Sequence, residues 1–125
     1  MIPLKSTLII NAASSGATGL GLIAFSELVA RLFEVDSTLP FLFTGLFLVV
    51  FAVFVFVEGR QRIPRPGWVL IITTLDVLWV LASMALVLSG KFKISSVGEI
   101  AIVVVAVWVS AMALLQSRGI KKLVV

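Results

Sequence analysis

The sequence predicts an all-α, polytopic membrane protein that folds as a four-transmembrane-helix bundle. Hydrophobic residues make up 61% of its 125 residues and charged residues 13%, and the mean hydropathy is +1.24. Soluble domains average about 45–50% apolar and about 25% charged residues. The apolar residues fall into four runs of about 20 residues, the length that crosses a hydrocarbon core about 30 Å thick. A weak similarity between the first and third runs (LIINAASSG and LIITTLDVL) also suggests two tandem helical hairpins.

The composition limits the chemistry that the chain can perform. It contains no Cys and no His, which excludes thiolate catalysis, disulfides and the usual zinc and haem ligands. We therefore predict no metal site, no cofactor and no enzymatic activity, because no nucleophile has a base beside it. The net charge of +4 does not indicate a nucleic-acid partner. The basic residues border the apolar runs, where membrane topology and anionic lipid headgroups account for them.

The spans are predicted from residues that begin and end helices. Pro40 suits the first turn of the second helix, and Gly59 the position just after its last turn. Gly90 closes the third helix, and the spacing of Ser96 and Glu99 is that of a capping box for the fourth. We predict a single transmembrane domain over residues 1–125, with spans at about residues 6–29, 39–58, 67–89 and 96–117.

The first span is rich in small residues, which allow helix backbones to approach closely in lipid. Ala12 and Gly16, and Ala17 and Gly21, form two pairs with the small-xxx-small spacing. Small residues surround much of this helix. We therefore expect it to pack among several helices rather than along one homodimer seam.

The end of the first predicted span is amphipathic. Glu27 and Arg31 stand four residues apart with the acid first, an order that favours an ion pair on a helix. We expect this segment to lie at the level of the lipid headgroups, with Glu34 and Asp36 in water. Glu27 and Arg31 are therefore predicted to form an interfacial ion pair.

The basic residues predict the orientation of the chain. Four spans place both termini and the linker between the second and third spans on one side, here termed the terminal side. The other two connections lie on the opposite side. The terminal side carries Lys5, Arg60, Arg62, Arg65, Arg118, Lys121 and Lys122, and the opposite side carries Arg31, Lys91 and Lys93. By the positive-inside rule, both termini are predicted to lie in the cytoplasm.

Asp76 is the ionisable residue of the third apolar run, Gly67 to Gly90. An Asp near the centre of a membrane helix costs about 2.5–3.5 kcal/mol on insertion scales, so we expect it to be buried, paired or functional. Thr73 and Ser83 lie on the same face of its helix. No Lys or Arg within the spans offers a cationic partner.

A second polar stripe lies on the first span at an overlapping depth, formed by Asn11, Ser15 and Thr18 together with Ser14. We predict that Asp76 hydrogen-bonds to Asn11 or to the neighbouring hydroxyl groups. This contact would hold helices together, form a ligand or proton site, or bind a separate partner helix. The candidate buried polar or ligand site comprises Asn11, Ser15, Thr18, Thr73, Asp76 and Ser83.

Short motifs distributed over the whole chain resemble a group of small, uncharacterised four-helix integral membrane proteins of bacteria. They are Asn11-Ala12, the arginine-proline linker, the run from Asp76 to Val80 and the ending from Gln116 to Gly119. The resemblance implies a bacterial inner (plasma) membrane but no reaction. Size and span number are also similar to small multidrug-resistance transporters. Those proteins carry an essential Glu deep in the first span, where this chain has Asn11.

The sequence leaves two functions open. The first is a non-enzymatic membrane protein that serves as an accessory subunit of a membrane complex or binds lipid or another apolar ligand. The alternative is a small-solute or proton-coupled transporter that works as a homodimer through Asp76. Membrane lipids are the expected partners, and a homo-oligomer and a larger membrane complex both remain open.

Overall fold

A computed structural model describes residues 3–90 and 93–124, without the side chains of residues 123 and 124. Its described residues form helices and short connections, which confirms the all-α fold class. The helices are α1 (Leu4–Ala24), α2 (Ser26–Phe33), α3 (Leu39–Gly59), α4 (Pro66–Ser89) and α5 (Ser96–Val124). All but α2 are long and apolar enough to cross a membrane. The chain is therefore a multi-pass membrane protein.

Two helix boundaries differ from the prediction. The first membrane-spanning helix ends at Ala24, because the chain leaves helical geometry at Phe25 (φ −116°, ψ 31°). Residues 26–33 then form the separate amphipathic helix α2. The last helix continues to Val124 instead of ending near residue 117. Long basic side chains near its end can reach water while their aliphatic parts stay in apolar surroundings.

The membrane-spanning helices pack as two hairpins. α1 packs along α3, α4 packs along α5, and these are the two most extensive contacts between helices. Between the hairpins, α1 contacts α5, whereas α3 and α4 scarcely touch. The helices are therefore arranged in the order α1, α3, α4, α5 around the interior, with α1 and α4 diagonally opposite.

Glycine residues determine how closely α1 and α3 approach. A Cβ atom added to Gly19 would lie 2.7 Å from the carbonyl oxygen of Gly45, and one added to Gly45 would lie 2.7 Å from the carbonyl oxygen of Gly19. Both distances are too short for a side chain. The contact between the two backbones thus requires glycine at both positions.

The two predicted pairs of small residues have different surroundings. Ala12 is buried, and a Cβ atom at Gly16 would lie 3.4 Å from the Cβ atom of Ala52 on α3. Ala17 is exposed, and a Cβ atom at Gly21 would have nothing within 4 Å. The first pair therefore belongs to the interface with α3, whereas the second does not pack against another described helix.

A filled apolar core occupies the half of the structure nearer the terminal side. Its buried residues are Leu8, Ala12, Phe51, Val55, Val69 and Ile72. The side chain of Ile120 on α5 packs against them. All four membrane-spanning helices thus contribute to this core.

An ion pair fixes the linker between the hairpins. Arg65 Nη2 lies 2.8 Å from Glu58 Oε2. The Arg65 backbone N–H and Nε donate to Glu58 Oε1 at 2.9 and 3.2 Å. These hydrogen bonds raise the pKa of Arg65. Because Glu58 belongs to the end of α3 and Arg65 immediately precedes α4, the pair holds the start of one hairpin against the end of the other.

The predicted interfacial ion pair between Glu27 and Arg31 is not formed. Both residues are exposed, and no ion pair joins them. An exposed pair on a helix contributes only about 0.3–0.5 kcal/mol, too little to hold two long side chains together in water.

Ser95 connects α2 to the start of α5. Its backbone N–H donates to the Phe33 carbonyl oxygen at 3.0 Å, and its Oγ accepts the N–H of Gly98 at 3.1 Å. The cap of α5 is therefore Ser95, one residue earlier than the Ser96 of the predicted capping box. α5 nevertheless begins at Ser96, where the fourth span was predicted to begin.

We predict that Gly19→Ala destabilises the protein by about 1–3 kcal/mol, the usual cost of overpacking. The added Cβ atom would meet the Gly45 carbonyl oxygen and separate α1 from α3. Gly21→Ala is the matched control. It should be neutral or stabilising, because alanine favours the helix over glycine by up to about 1 kcal/mol. Thermal unfolding in detergent would compare the two variants, and equal effects would contradict the close contact.

We predict that Arg65→Ala destabilises the protein by about 1–3 kcal/mol, because the buried Glu58 carboxylate loses both side-chain hydrogen bonds from the guanidinium group and keeps only the bond from the backbone N–H of residue 65. The side chain of Glu58 is 2% exposed and cannot turn to water as it stands. Arg62→Ala removes an exposed arginine from the same linker and should leave the unfolding temperature unchanged. A similar decrease in the unfolding temperature of both variants would indicate that the effect comes from the change in net charge and not from the ion pair.

Candidate functional site

Four buried polar side chains meet where α1, α4 and α5 face the interior. They are Asn11, Thr73, Asp76 and Gln116, here termed the polar cluster, and their exposed fractions are 2%, 7%, 4% and 0%. α1 supplies the first, α4 the next two and α5 the last. All four side chains are thus withdrawn from lipid, as polar groups in a membrane interior should be.

A closed set of hydrogen bonds links the polar cluster. Asn11 Nδ2 donates to Asp76 Oδ2 at 3.0 Å and to Gln116 Oε1 at 2.7 Å. Gln116 Nε2 donates to Asp76 Oδ2 and to Thr73 Oγ1, both at 3.0 Å. The predicted contact between Asp76 and Asn11 is therefore present, and both amide groups donate to the same carboxylate oxygen.

The polar cluster spans the diagonal of the structure. α1 and α4 do not contact one another through their backbones, so Asn11 and Asp76 meet across the interior. Asp76 lies ten residues into α4, about 15 Å from its start at 1.5 Å per residue, and Asn11 lies about 10 Å into α1. Gln116 lies about 12 Å before the end of α5. The three helices thus bring their polar groups to similar depths measured from the terminal side.

Sequence reasoning did not include Gln116 in the site. We placed the end of the fourth span at about residue 117, which put Gln116 at the interface with water. In the structure α5 continues to Val124, so Gln116 is a full two turns inside the helix. Gln116 shares a helix face with the buried Ala113, three residues earlier, but that burial is visible only in the structure.

The other predicted site residues are not all part of the cluster. Ser15 Oγ donates to Asn11 Oδ1 at 3.1 Å and supports the network from α1. Thr18 is exposed and lines a neighbouring cavity. Ser83 is half-buried and makes no hydrogen bond to the cluster; it lies about 10 Å beyond Asp76 along α4. The structure therefore does not bring Ser83 into the polar cluster.

A cavity of about 340 Å³ adjoins the polar cluster on the side away from the apolar core. All four membrane-spanning helices contribute residues to its lining. Its lining consists mainly of apolar and aromatic side chains. The lining residues are Ser14, Ser15, Thr18, Phe47, Leu48, Phe51, Leu75, Asp76, Trp79, Val104, Val105, Trp108 and Val109.

Aromatic rings form much of the cavity wall. Phe47 stacks on Trp79 across the gap between α3 and α4, with ring centroids 6.4 Å apart and planes inclined by 7°. Phe47 also stacks on Phe51 at 6.1 Å. Trp108 Nε1 donates to Ser14 Oγ at 3.0 Å, which ties α5 to α1. The rings are thus held in place by neighbours on other helices or on the same helix.

Two polar atoms of cavity-lining residues lack a protein partner. Trp79 Nε1 is buried and has no hydrogen-bonding partner. Both hydrogen bonds to the Asp76 carboxylate go to Oδ2, and no described residue donates to Oδ1. The cavity therefore combines an apolar wall with one acceptor, Asp76 Oδ1, that no described residue satisfies.

The site does not have the composition of a metal centre. No group of three or more His, Cys, Asp or Glu in the described residues could hold a metal ion. Fold and site together define a small multi-pass helical membrane protein with a cavity beside a buried polar cluster. Comparison with known protein families, curated proteins and solved structures finds no match to this chain. The resemblance to four-helix bacterial membrane proteins stays a prediction.

We predict that Gln116→Met lowers the free energy of unfolding by about 1–2 kcal/mol, as expected for lost interhelical hydrogen bonds in a membrane protein. Methionine keeps the approximate length of the side chain but makes none of the hydrogen bonds. Gln61→Met, in the linker, is the matched control and should have little effect. Unfolding with SDS in mixed micelles would measure both. In combination with Asn11→Ala, the effects should be clearly non-additive; additive losses would contradict a shared network.

Proposed function

We propose that this protein is a non-enzymatic membrane protein that binds an apolar or amphipathic molecule in the cavity between its hairpins. One observation carries the proposal. The cavity is walled by apolar and aromatic side chains, yet no described residue donates a hydrogen bond to Oδ1 of Asp76, one of its lining residues. Pockets for small molecules share this composition, with a mostly apolar wall and a few polar groups that orient the ligand.

The energetics favour a ligand-binding role for this arrangement. A buried polar group without a hydrogen bond costs about 1–3 kcal/mol, and the hydrogen bonds of the polar cluster do not involve Trp79 Nε1 or Asp76 Oδ1. If the only role of these residues were to join the helices, the hydrogen bonds of the polar cluster would be sufficient. A bound molecule with a polar end would satisfy Asp76 Oδ1 and cover the apolar wall.

The surroundings of the cavity favour entry of the ligand from the membrane. Phe47, Val104 and Trp108 line the cavity and are 47%, 61% and 46% exposed within the membrane-spanning helices. Molecules dissolved in lipid would reach these side chains without crossing a polar surface. We propose membrane lipids or molecules dissolved among them as the source of the ligand.

We also propose a bacterial inner (plasma) membrane with both termini in the cytoplasm. The excess of basic residues on the terminal side, seven against three in the sequence, supports this orientation. The cavity lies on the far side of the polar cluster from that surface. It would therefore open in the half of the membrane away from the cytoplasm.

A binding role is favoured over proton-coupled transport. Proton relays in membranes use chains of titratable groups. The side chains that hydrogen-bond to Asp76 are amides, and the rest of the described cavity lining carries no second titratable group. The surroundings of Asp76 therefore favour the orientation of a ligand over a proton relay.

Native mass spectrometry in a mild detergent would test the proposal and report the oligomeric state at the same time. We expect the wild-type protein to retain a small hydrophobic molecule. Val105→Phe should displace it, because Val105 lines the cavity. Val107→Phe is the matched control, since Val107 is 65% exposed on the outer face of α5. Absence of a retained molecule in the wild type, or equal retention by both variants, would contradict binding in this cavity.

A further inference from the structure

We propose that the ligand of the cavity is a hydrophobic amine, an organic cation whose charged nitrogen meets the carboxylate of Asp76. This inference rests on the proposed function and specifies the class of molecule that is bound. It is drawn from three features of the site: the two oxygens of Asp76, the aromatic wall and the volume of the cavity.

The first feature is the different surroundings of the two carboxylate oxygens. Oδ2 accepts hydrogen bonds from the amide groups of Asn11 and Gln116, both at 3.0 Å. These donors stabilise a negative charge but do not neutralise it. Oδ1 accepts no hydrogen bond from a described residue, and its side chain lines the cavity. A charge-assisted hydrogen bond from an ammonium group would satisfy Oδ1 and supply the missing positive charge.

The second feature is the absence of a protein cation among the side chains that surround Asp76. The described lining of the cavity comprises apolar, aromatic and hydroxyl-bearing residues besides the carboxylate. Arg65 pairs with Glu58 in the linker and does not line the cavity. The positive charge that a membrane-buried carboxylate requires is therefore left for the ligand to provide.

The third feature is the aromatic wall. The rings of Phe47, Phe51, Trp79 and Trp108 all line the cavity that contains Asp76. Aromatic faces attract organic cations through the ring quadrupole, and Trp does so best. An anionic ligand would be repelled by both the carboxylate and the faces of the rings. A purely apolar ligand would leave Asp76 Oδ1 without a partner.

The volume limits the size of the amine. A cavity of about 340 Å³ is at the small end of the range of about 300–1,000 Å³ found for pockets that hold drug-sized molecules. It suits one amine with a short apolar body and not a phospholipid with two acyl chains.

A matched set of three probes would test the charge of the ligand on the full chain in detergent. The probes are 5-phenylpentylamine, hexylbenzene and 6-phenylhexanoate, which share a phenylpentyl group and end in an ammonium, a methyl and a carboxylate. Binding of radiolabelled probes to the wild-type protein would be measured against protein-free micelles. We expect the amine to bind at least tenfold more tightly than either of the other probes.

Asp76→Asn provides the second arm of the test. It removes the negative charge and retains a side-chain oxygen for the amides of Asn11 and Gln116. We expect this variant to lose at least tenfold in affinity for 5-phenylpentylamine and to keep its affinity for hexylbenzene, which shows that the cavity is intact. Ser83→Ala, on the same helix but outside the polar cluster, should bind all three probes like the wild type.

The outcomes separate this inference from the proposed function. Equal binding of the amine and hexylbenzene by the wild type would overturn the cationic ligand while leaving apolar binding in place. Preferential binding of 6-phenylhexanoate would overturn it as well. Failure of all three probes to bind would contradict both the inference and the proposed function. The comparison among probes needs no variant, so it stands even if Asp76→Asn fails to fold.

Discussion

The need to satisfy one carboxyl group inside a membrane determines much of this structure. Asp76 lies in the interior of α4, where lipid offers no hydrogen bonds. Its Oδ2 atom is satisfied by amides from two other helices, α1 and α5. The three helices must therefore be at fixed depths relative to one another. The same contact sets the boundary between the filled apolar core and the cavity.

The two hairpins are joined by few types of contact. Within each hairpin the helices pack along their length, and α1 and α3 touch through glycine. Between hairpins, α1 packs on α5, the polar cluster crosses the interior, and the Glu58–Arg65 pair holds the linker. α3 and α4 approach one another mainly through aromatic side chains such as Phe47 and Trp79. Because those rings replace close backbone packing, there is space beside them for the cavity.

The spans and part of the site follow from the sequence, because hydropathy and one costly residue carry strong signals. The cost of Asp76 in lipid pointed to a polar partner, and the depth of Asn11 identified it. Gln116 was missed because the fourth span was predicted to end at about residue 117, whereas α5 continues to Val124. Ser83 was included on helix periodicity, which defines a face but not how far a neighbouring polar group extends along it. The cavity depends on how loosely α3 and α4 pack, and hydropathy does not predict the packing between two helices.

The position of Gln116 on the last helix has a consequence for biosynthesis. Helices enter the membrane in chain order, so α4 arrives before the residue that provides one of the two hydrogen bonds to Asp76 Oδ2. Until α5 is inserted, Asn11 is the one amide of the cluster that can reach the carboxyl group. The favourable insertion of the apolar residues of α4 must therefore offset the cost of inserting Asp76, about 2.5–3.5 kcal/mol. Completion of the polar cluster then links α5 to α1 and α4.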